Sequence, residues 1–426
     1  GNFPAQKYHT EFAPGALDII EGALDRLRME NDLIIIEGAG SPAEVNLQEH
    51  EIVNMRIARM AGAPVLLVAD IDKGGALASL VGTLELVEPE DRDRIVGFII
   101  NKFRGDLNLF RPAVDFLEKK TGKPVLGVVP YFQDFRIQEE DTIPEDRSRG
   151  EQVEGLGAVE IAVIRLPHIS NFTDFDSLED EPDVRLRYIG GNDSLGRPDL
   201  IILPGSKNTI EDLAFLNRSG LAGQILEHRR AGTPVIGICG GFQMLGRELN
   251  DPLHTESEFT QIKGLGLLDI STTFTPDKIT NQVEAEVAGS GFFLYGAPSS
   301  RVTGYEIHMG RTELAPDLRP AFTILARSGE KVYFPDGAVS RDGLVFGTYI
   351  HGIFDSDGFR RHIVNILRGK KGLEPLAASG TTSVLEQRRQ DYDKLAALVR
   401  GSLDLQKLYQ VVGLAGPAPG GKQKCL

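Results

Sequence analysis

Short continuous apolar runs, each closed by a polar or glycine-rich break, recur along the whole chain. In the N-terminal part they fall at 32–37, 64–69, 95–100 and 124–129. Runs of this length without alternation read as strands buried on both faces. Helical patterns lie between them near 49–61, 75–87 and 109–120. Strands separated by helices predict a parallel sheet in an α/β domain. Three predicted strands end in Glu37-Gly-Ala-Gly40, Asp70-Ile-Asp72-Lys73-Gly-Gly and Asn101-Lys102-Phe-Arg104-Gly. Strand ends are where such domains hold ligands.

A second series of runs begins at 159–164 and continues through 199–206, 235–238, strands within 264–334, and 344–351. Helical patterns at 358–367 and 384–412 close it. The pattern thus predicts a first α/β domain over 1–137, a charged linker over 138–157 and a second domain over 158–412. The Gly-, Pro- and Lys-rich residues 413–426 read as a disordered tail.

Composition changes this picture only by exclusion. No apolar run approaches membrane-spanning length and no signal peptide opens the chain. The two cysteines, Cys239 and Cys425, exclude a disulfide framework and point to reducing cytoplasm. A net charge of -15 argues against nucleic acid as a partner. Any anionic substrate must be held by local Arg and Lys.

Chemistry concentrates at 232–248. Val235, Ile236 and Ile238 form a strand-like run, and Phe242-Gln-Met-Leu begins a helical pattern. Between them Gly237-Ile-Cys239-Gly240-Gly241 supplies the free backbone of a sharp strand-to-helix turn. That is the logic of a nucleophile elbow with sulfur as nucleophile, the thiolate favoured by the helix N-terminus. The alternative is a cysteine buried in the core. His351, ending an apolar strand, is the best candidate base, against a purely structural histidine. The N–H of Gly240 and the loop at Gly205 are candidate oxyanion donors.

Gly237-x-Cys239-x-Gly241-x-Gln243, a Pro-Gly-Ser loop and a late Tyr-x-His resemble class I glutamine amidotransferases. More narrowly, Leu166-Pro-His-Ile-Ser-Asn-Phe-Thr-Asp-Phe, Gly304-Tyr-Glu-Ile-His-Met-Gly and Gly347-Thr-Tyr-Ile-His-Gly-Ile-Phe resemble the cobyric acid synthase family. So do Glu37-Gly-Ala-Gly-Ser-Pro-Ala-Glu and Ile100-Asn-Lys-Phe-Arg-Gly-Asp. The resemblance implies a parallel-sheet, P-loop-type domain similar to dethiobiotin synthetase, followed by a class I glutamine amidotransferase α/β domain. It implies that Cys239 attacks the glutamine side-chain amide, that His351 assists, and that Gln243 contacts substrate. Ammonia would then amidate the b, d, e and g carboxylates of adenosylcobyrinic acid a,c-diamide. ATP and Mg²⁺ are the implied cofactors, with Glu37 and Asp70 as metal candidates and Asn101 as a nucleotide contact.

Two departures qualify the resemblance. Many class I amidotransferases orient their histidine with a Glu two residues later, where this chain has Ile353; Glu306 is a substitute candidate. Gly-x-x-x-x-Gly-Lys-Ser/Thr also occurs nowhere, and residues 1–20 resemble the middle of the synthetase domain. The expectation is a first domain incomplete at its N-terminus. Two rival readings stay open: a cobyrinic acid a,c-diamide synthase, or a non-catalytic relative.

Overall fold

The computed structural model describes residues 13–46, 51–132, 158–289, 291–297, 301–377 and 384–414. The expected linker, Cys425 and nearly all of the expected tail lie outside the described residues. By its internal contacts the chain forms two units. One comprises Asn2–Ile137 with Arg389–Leu426, and the other Gln138–Arg388.

In the first unit, helices α1 (Ala13–Glu30) and α2 (Met55–Ala61) precede strand β1 (Val65–Asp70). Helices α3 (Ala76–Leu86) and α4 (Pro89–Arg94) lead to β2 (Ile95–Phe103), and α5 (Leu107–Thr121) leads to β3 (Val125–Pro130). The strands pair in parallel, in the order β1-β2-β3. Ile95, Phe98, Ile100 and Leu117 are fully buried and form its centre. The parallel sheet follows the pattern read from the sequence.

One predicted strand does not form. Residues 32–37 adopt no strand, and Leu33, Ile35 and Ile36 are exposed. An apolar run becomes a strand only where a partner satisfies its backbone, and no described residue pairs with this one. The final helices also differ from expectation. Asp404 N–H donates to the Leu126 carbonyl at 2.8 Å, and Leu403 bridges Gly127, so residues from Arg389 onward join the first unit. Helical periodicity shows that a helix has an apolar face, not which sheet that face meets.

The second unit is built on a six-stranded sheet. Its strands are β4 (Val159–Ile164), β6 (Val184–Ile189), β7 (Leu200–Leu203), β9 (Val235–Ile238), β16 (Ala338–Val339) and β17 (Val345–Thr348). The order is β16-β17-β9-β7-β4-β6, parallel except for the β16–β17 pair. All four residues of β7, and Val235, Ile236 and Ile238 of β9, have no exposure. That two-sided burial is why both read as unbroken apolar runs. A short antiparallel pair joins β5 (Ile169–Ser170) to β8 (Gly205–Ser206). A second sheet carries β10 (Glu248–Asn250), β11 (Gln261–Lys263), β12 (Ile270–Val287), β13 (Arg301–Leu314), β14 (Phe322–Arg327), β15 (Glu330–Asp336) and β18 (Ile350–His351), with β12, β13 and β18 as successive neighbours.

Register decides what meets at the edge of the central sheet. Leu203 pairs with Gly237, and Thr348 with Ile238, so β7, β9 and β17 end level with one another. The segments following them are Pro204-Gly-Ser, Cys239-Gly-Gly and Tyr349-Ile-His. Three strongly separated stretches of sequence converge at one sheet edge. Behind them, Arg360 and Arg361 bond Glu181 at 2.7 and 2.8 Å, and Arg361 also bonds Asp183. This largely buried network ties the helix after His351 to the segment after Phe175.

Candidate active site

The turn after β9 is left-handed at a residue with a side chain: Cys239 has φ 51° and ψ -108°. Such a backbone costs about 1–3 kcal/mol and persists only where its surroundings impose it. Here Cys239 N–H donates to the Thr348 carbonyl at 2.8 Å, and the Cys239 carbonyl accepts from Gln243 N–H at 3.1 Å. Gly241 completes the turn; any Cβ there would fall on the Leu203 and Pro204 carbonyls. The helix Gly240–Met244 begins directly after the thiol. The thiol itself is 3.5 Å from the Ile307 carbonyl, to which it donates.

His351 is fully buried beside it. Its Nδ1 lies 2.7 Å from Asp174 Oδ2, and Gly352 N–H donates to Asp174 Oδ1 at 2.9 Å. One carboxylate therefore holds both the ring and the backbone that carries it. Its acceptor oxygen selects the tautomer with hydrogen on Nδ1 and leaves Nε2 for the substrate side. Nε2 is buried and carries no hydrogen bond among the described residues. The Tyr305 ring stacks on the imidazole, with centroids 5.1 Å apart and planes 14° from parallel. Tyr305 OH accepts from Asn171 Nδ2 at 2.7 Å, which pins the turn bearing Asp174. Burial opposes a charge on His351, but the Asp174 and Cys239 charges, with the Asp174 hydrogen bond, prevail and push it up to about 10.

Asp174 takes the place that the sequence suggested for Glu306. Tyr305 pairs across the sheet with His351, and Glu306 with Ile350. Successive side chains on a strand face opposite ways, so Tyr305 meets the imidazole and Glu306 does not. Glu306 instead bonds Asn281 at 2.8 Å and Arg327 at 2.7 Å. Asp174 is the one acid in Leu166–Phe175 of the sequence, yet 177 residues separate it from His351. No spacing rule joins residues so far apart.

Gly205 and Gly240 both reach the site, in different ways. A Cβ on Gly205 would lie 2.9 Å from His351 Cε1 and 2.8 Å from Ser170 Oγ, so the missing side chain makes room for the imidazole. Lys207 N–H donates to the His168 carbonyl at 2.8 Å, while Ile169 faces Ser206 and Ser170 faces Gly205. Bonded and non-bonded pairs alternate along an antiparallel ladder. Gly205 N–H is therefore turned to Ser170, and Ser206 N–H points away from that ladder. The Ser206 nitrogen lies 3.0 Å from where a Cβ on Gly240 would stand. The two backbone N–H groups flanking the Cys239 turn are thus those of Gly240 and Ser206.

Gln243 is buried with its amide fully engaged. Nε2 donates to the Met309 carbonyl at 2.9 Å and to Tyr349 OH at 3.1 Å, and Oε1 accepts from Thr209 Oγ1 at 3.2 Å. Only the second lone pair of its carbonyl is left for anything else.

A thiol on an enforced elbow, an oriented imidazole and paired N–H groups are the parts of acyl transfer. Comparison with known proteins agrees. Residues 160–359 match the CobB/CobQ-like glutamine amidotransferase domain, and residues 6–138 match an AAA domain. The cobyric acid synthase of Moorella thermoacetica is 53% identical over 98% of this chain and 80% of its own length. Those of Pelotomaculum thermopropionicum and Desulforamulus reducens are 50% and 46% identical over 98% and 97% of this chain, and over 79% and 80% of their own lengths. This chain belongs to the cobyric acid synthase family.

The metal and nucleotide contacts expected from the sequence fall in the first unit. Asp70 and Asn101 face each other across the C-terminal ends of β1 and β2. Asp70, however, is 3.0 Å from Lys102 Nζ and accepts from Asp72 N–H, while Asp72 pairs with Arg104 at 2.9 Å. Glu37 is exposed in the unpaired stretch. Among the described residues no group of three His, Cys, Asp or Glu could hold a metal ion. With Lys102 on Asp70 and Arg104 on Asp72, these carboxylates are already paired and do not by themselves fit a Mg²⁺ site.

A further acid, partly buried, lies beside Thr209, whose hydroxyl bonds Gln243. Glu256 Oε2 accepts from Thr209 N–H at 2.9 Å. Burial pushes its carboxyl up to about 7; the Thr209 bond opposes this and the Asp251 charge adds to it. The folded value lies above the ordinary 4.5, so the folded protein holds an extra proton between these values. Stability is greatest below pH ~4.5 and declines as pH rises to ~7. Glu256→Gln is expected to remove that decline and be about 1–3 kcal/mol more stable at pH 8. Urea unfolding at pH 5 and pH 8 checks it; an equal pH dependence in both proteins would refute it.

Proposed function

We propose that this chain hydrolyses glutamine at Cys239 and uses the ammonia to amidate corrinoid carboxylates in cobalamin biosynthesis. The observation that carries the first half is the Cys239–His351–Asp174 arrangement at one sheet edge. The Cys239 thiolate attacks the glutamine side-chain carbon, and the resulting oxyanion is met by the N–H groups of Gly240 and Ser206. The protonated His351 gives its Nε2 proton to the leaving nitrogen, and ammonia departs, leaving a glutamyl thioester. His351, now neutral at Nε2, takes a proton from water, which attacks the thioester. Glutamate leaves and the thiolate–imidazolium pair returns. Asp174 keeps the ring in one orientation throughout and stabilises its charge.

The second half rests on kinship with the cobyric acid synthases. The substrate class is a corrinoid polycarboxylate, with adenosylcobyrinic acid a,c-diamide amidated at b, d, e and g. ATP is the energy source that kinship supplies for activating a carboxylate; any Mg²⁺ would arrive with the nucleotide, not at a site built by Glu37 and Asp70. A glutaminase serving a cobyrinic acid a,c-diamide synthase has weaker support, because the similar proteins above are cobyric acid synthases over nearly the whole chain. The test is to incubate the protein with ATP, Mg²⁺, corrinoid and ¹⁵N-amide glutamine and read products by mass spectrometry. Four successive ¹⁵N-amide additions are expected. Glutamate formation without any corrinoid product would refute the second half alone.

A further inference from the structure

Behind the loop that faces the Cys239 turn lies another buried carboxylate, which the steps above leave unused. Asp212 sits in the first turn of the helix Thr209–Ser219 and has no solvent exposure. Its Oδ2 accepts from the Ser206 hydroxyl at 2.6 Å. Its Oδ1 accepts from His168 N–H at 3.1 Å and lies 2.8 Å from His168 Nδ1. Ser206 Oγ also accepts from Asn208 N–H at 3.0 Å. The His168 ring is about half exposed, with a side-chain accessibility of 49%.

This arrangement has more specificity than packing alone requires. Burial drives the Asp212 carboxyl upward, opposed by its Ser206 and His168 hydrogen bonds. Buried charged groups are often neutral or unfavourable for stability compared with apolar residues of similar size. What this one accomplishes is geometric. It clamps the side chain of Ser206, the residue whose own N–H stands beside Gly240 at the thiol. An oxyanion donor is useful only if its N–H is fixed before charge develops.

We propose that Asp212 is a positioning residue for glutamine hydrolysis, holding the Ser206 hydroxyl so that the Ser206 N–H is fixed as an oxyanion donor, with His168 as its outer anchor. The proposal rests on the glutaminase reading of the Cys239 site. Losing an oxyanion donor costs about 10²–10³-fold in kcat, and a displaced donor costs less. Asp212→Ala is therefore expected to lower kcat for glutamine hydrolysis by roughly 10- to 100-fold. KM for glutamine should stay near that of the parent. Alkylation of Cys239 by iodoacetamide should keep its rate, because the nucleophile is untouched. Ser206→Ala should lose a similar factor, and the double variant should lose no more than the worse single one.

The assay uses the whole chain and reads ammonia release. If Asp212→Ala does not fold, Ser206→Ala and His168→Ala carry the test, His168→Ala with the smaller loss in kcat. Parent-like kcat in the folded variants, a loss confined to KM, parallel slowing of alkylation, or multiplying losses in the double variant would each overturn the proposal. A parent protein that releases no ammonia from glutamine would sink the glutaminase reading, and the proposal with it. Turnover by the parent and all variants alike would sink the proposal alone.

Discussion

Cys239→Ser is expected to reduce glutamine hydrolysis on the order of 10⁶-fold, to background, with the fold intact. The change exchanges one atom at a residue that is 6% exposed, so packing scarcely alters. The backbone that makes the elbow is held from outside the side chain, by the Thr348 carbonyl and Gln243 N–H, and does not depend on sulfur. What changes is the nucleophile. A thiolate can form beside His351, whereas a serine hydroxyl must lose its proton during attack. The imidazole, pushed up to about 10, is already protonated at neutral pH and has no free site to take that proton. Serine therefore meets an acid where it needs a base. Ammonia release in a coupled assay measures the effect, and circular dichroism shows that the fold survives. Cys425→Ser in parallel should keep the parent rate. Turnover within tenfold of the parent by Cys239→Ser would remove the thiol from the mechanism.

What the sequence made legible follows from the range of the interactions involved. The β9 run, the Gly237–Gly241 frame and the elbow are local, so the Cys239 turn could be read directly. His351 could be read because it follows closely on an apolar strand, β17, that pairs with β9, although the histidine itself sits on β18 in the second sheet. Asp174 could not: its bond to His351 depends on where the short turn after β5 meets β18. Glu306 was the substitute candidate because Ile353 stands where the usual Glu would be, but the register that sets Tyr305 against His351 turns Glu306 to the other face. Gly205, expected as an oxyanion donor, lies beside His351, yet the ladder alternation that directs its N–H towards Ser170 is invisible without the pairing. In the first unit, Leu33–Ile36 of the sequence has the composition of a strand but no described partner. Apolar composition states what a segment could bury, and the neighbour decides whether it does.

Asp174→Asn and His351→Ala should each cost glutamine hydrolysis between about 10²- and 10⁴-fold, for different reasons. Alanine at 351 removes the proton carrier outright. Asparagine at 174 keeps the volume, but an amide can turn its N–H₂ towards His351 Nδ1 and favour the wrong tautomer. It also removes the largest charge that raises His351, so the imidazolium should give up its proton at lower pH. The alkaline limb of the kcat/KM profile is therefore expected to move downward in Asp174→Asn, which a packing defect would not do. Stability gives an independent reading. His351 is raised from 6.5 to about 10, so its contribution is present in full below pH ~6.5 and fades as pH rises through ~10. Asp174→Asn should flatten that decline. Glu306→Gln, on the opposite face of β13, should lower the melting temperature through its Arg327 and Asn281 bonds while leaving kcat and the alkaline limb as in the parent. Rates and melting curves from pH 6 to 10 for the three proteins settle the assignment. An alkaline limb that moves with Glu306 and not with Asp174 would reverse it.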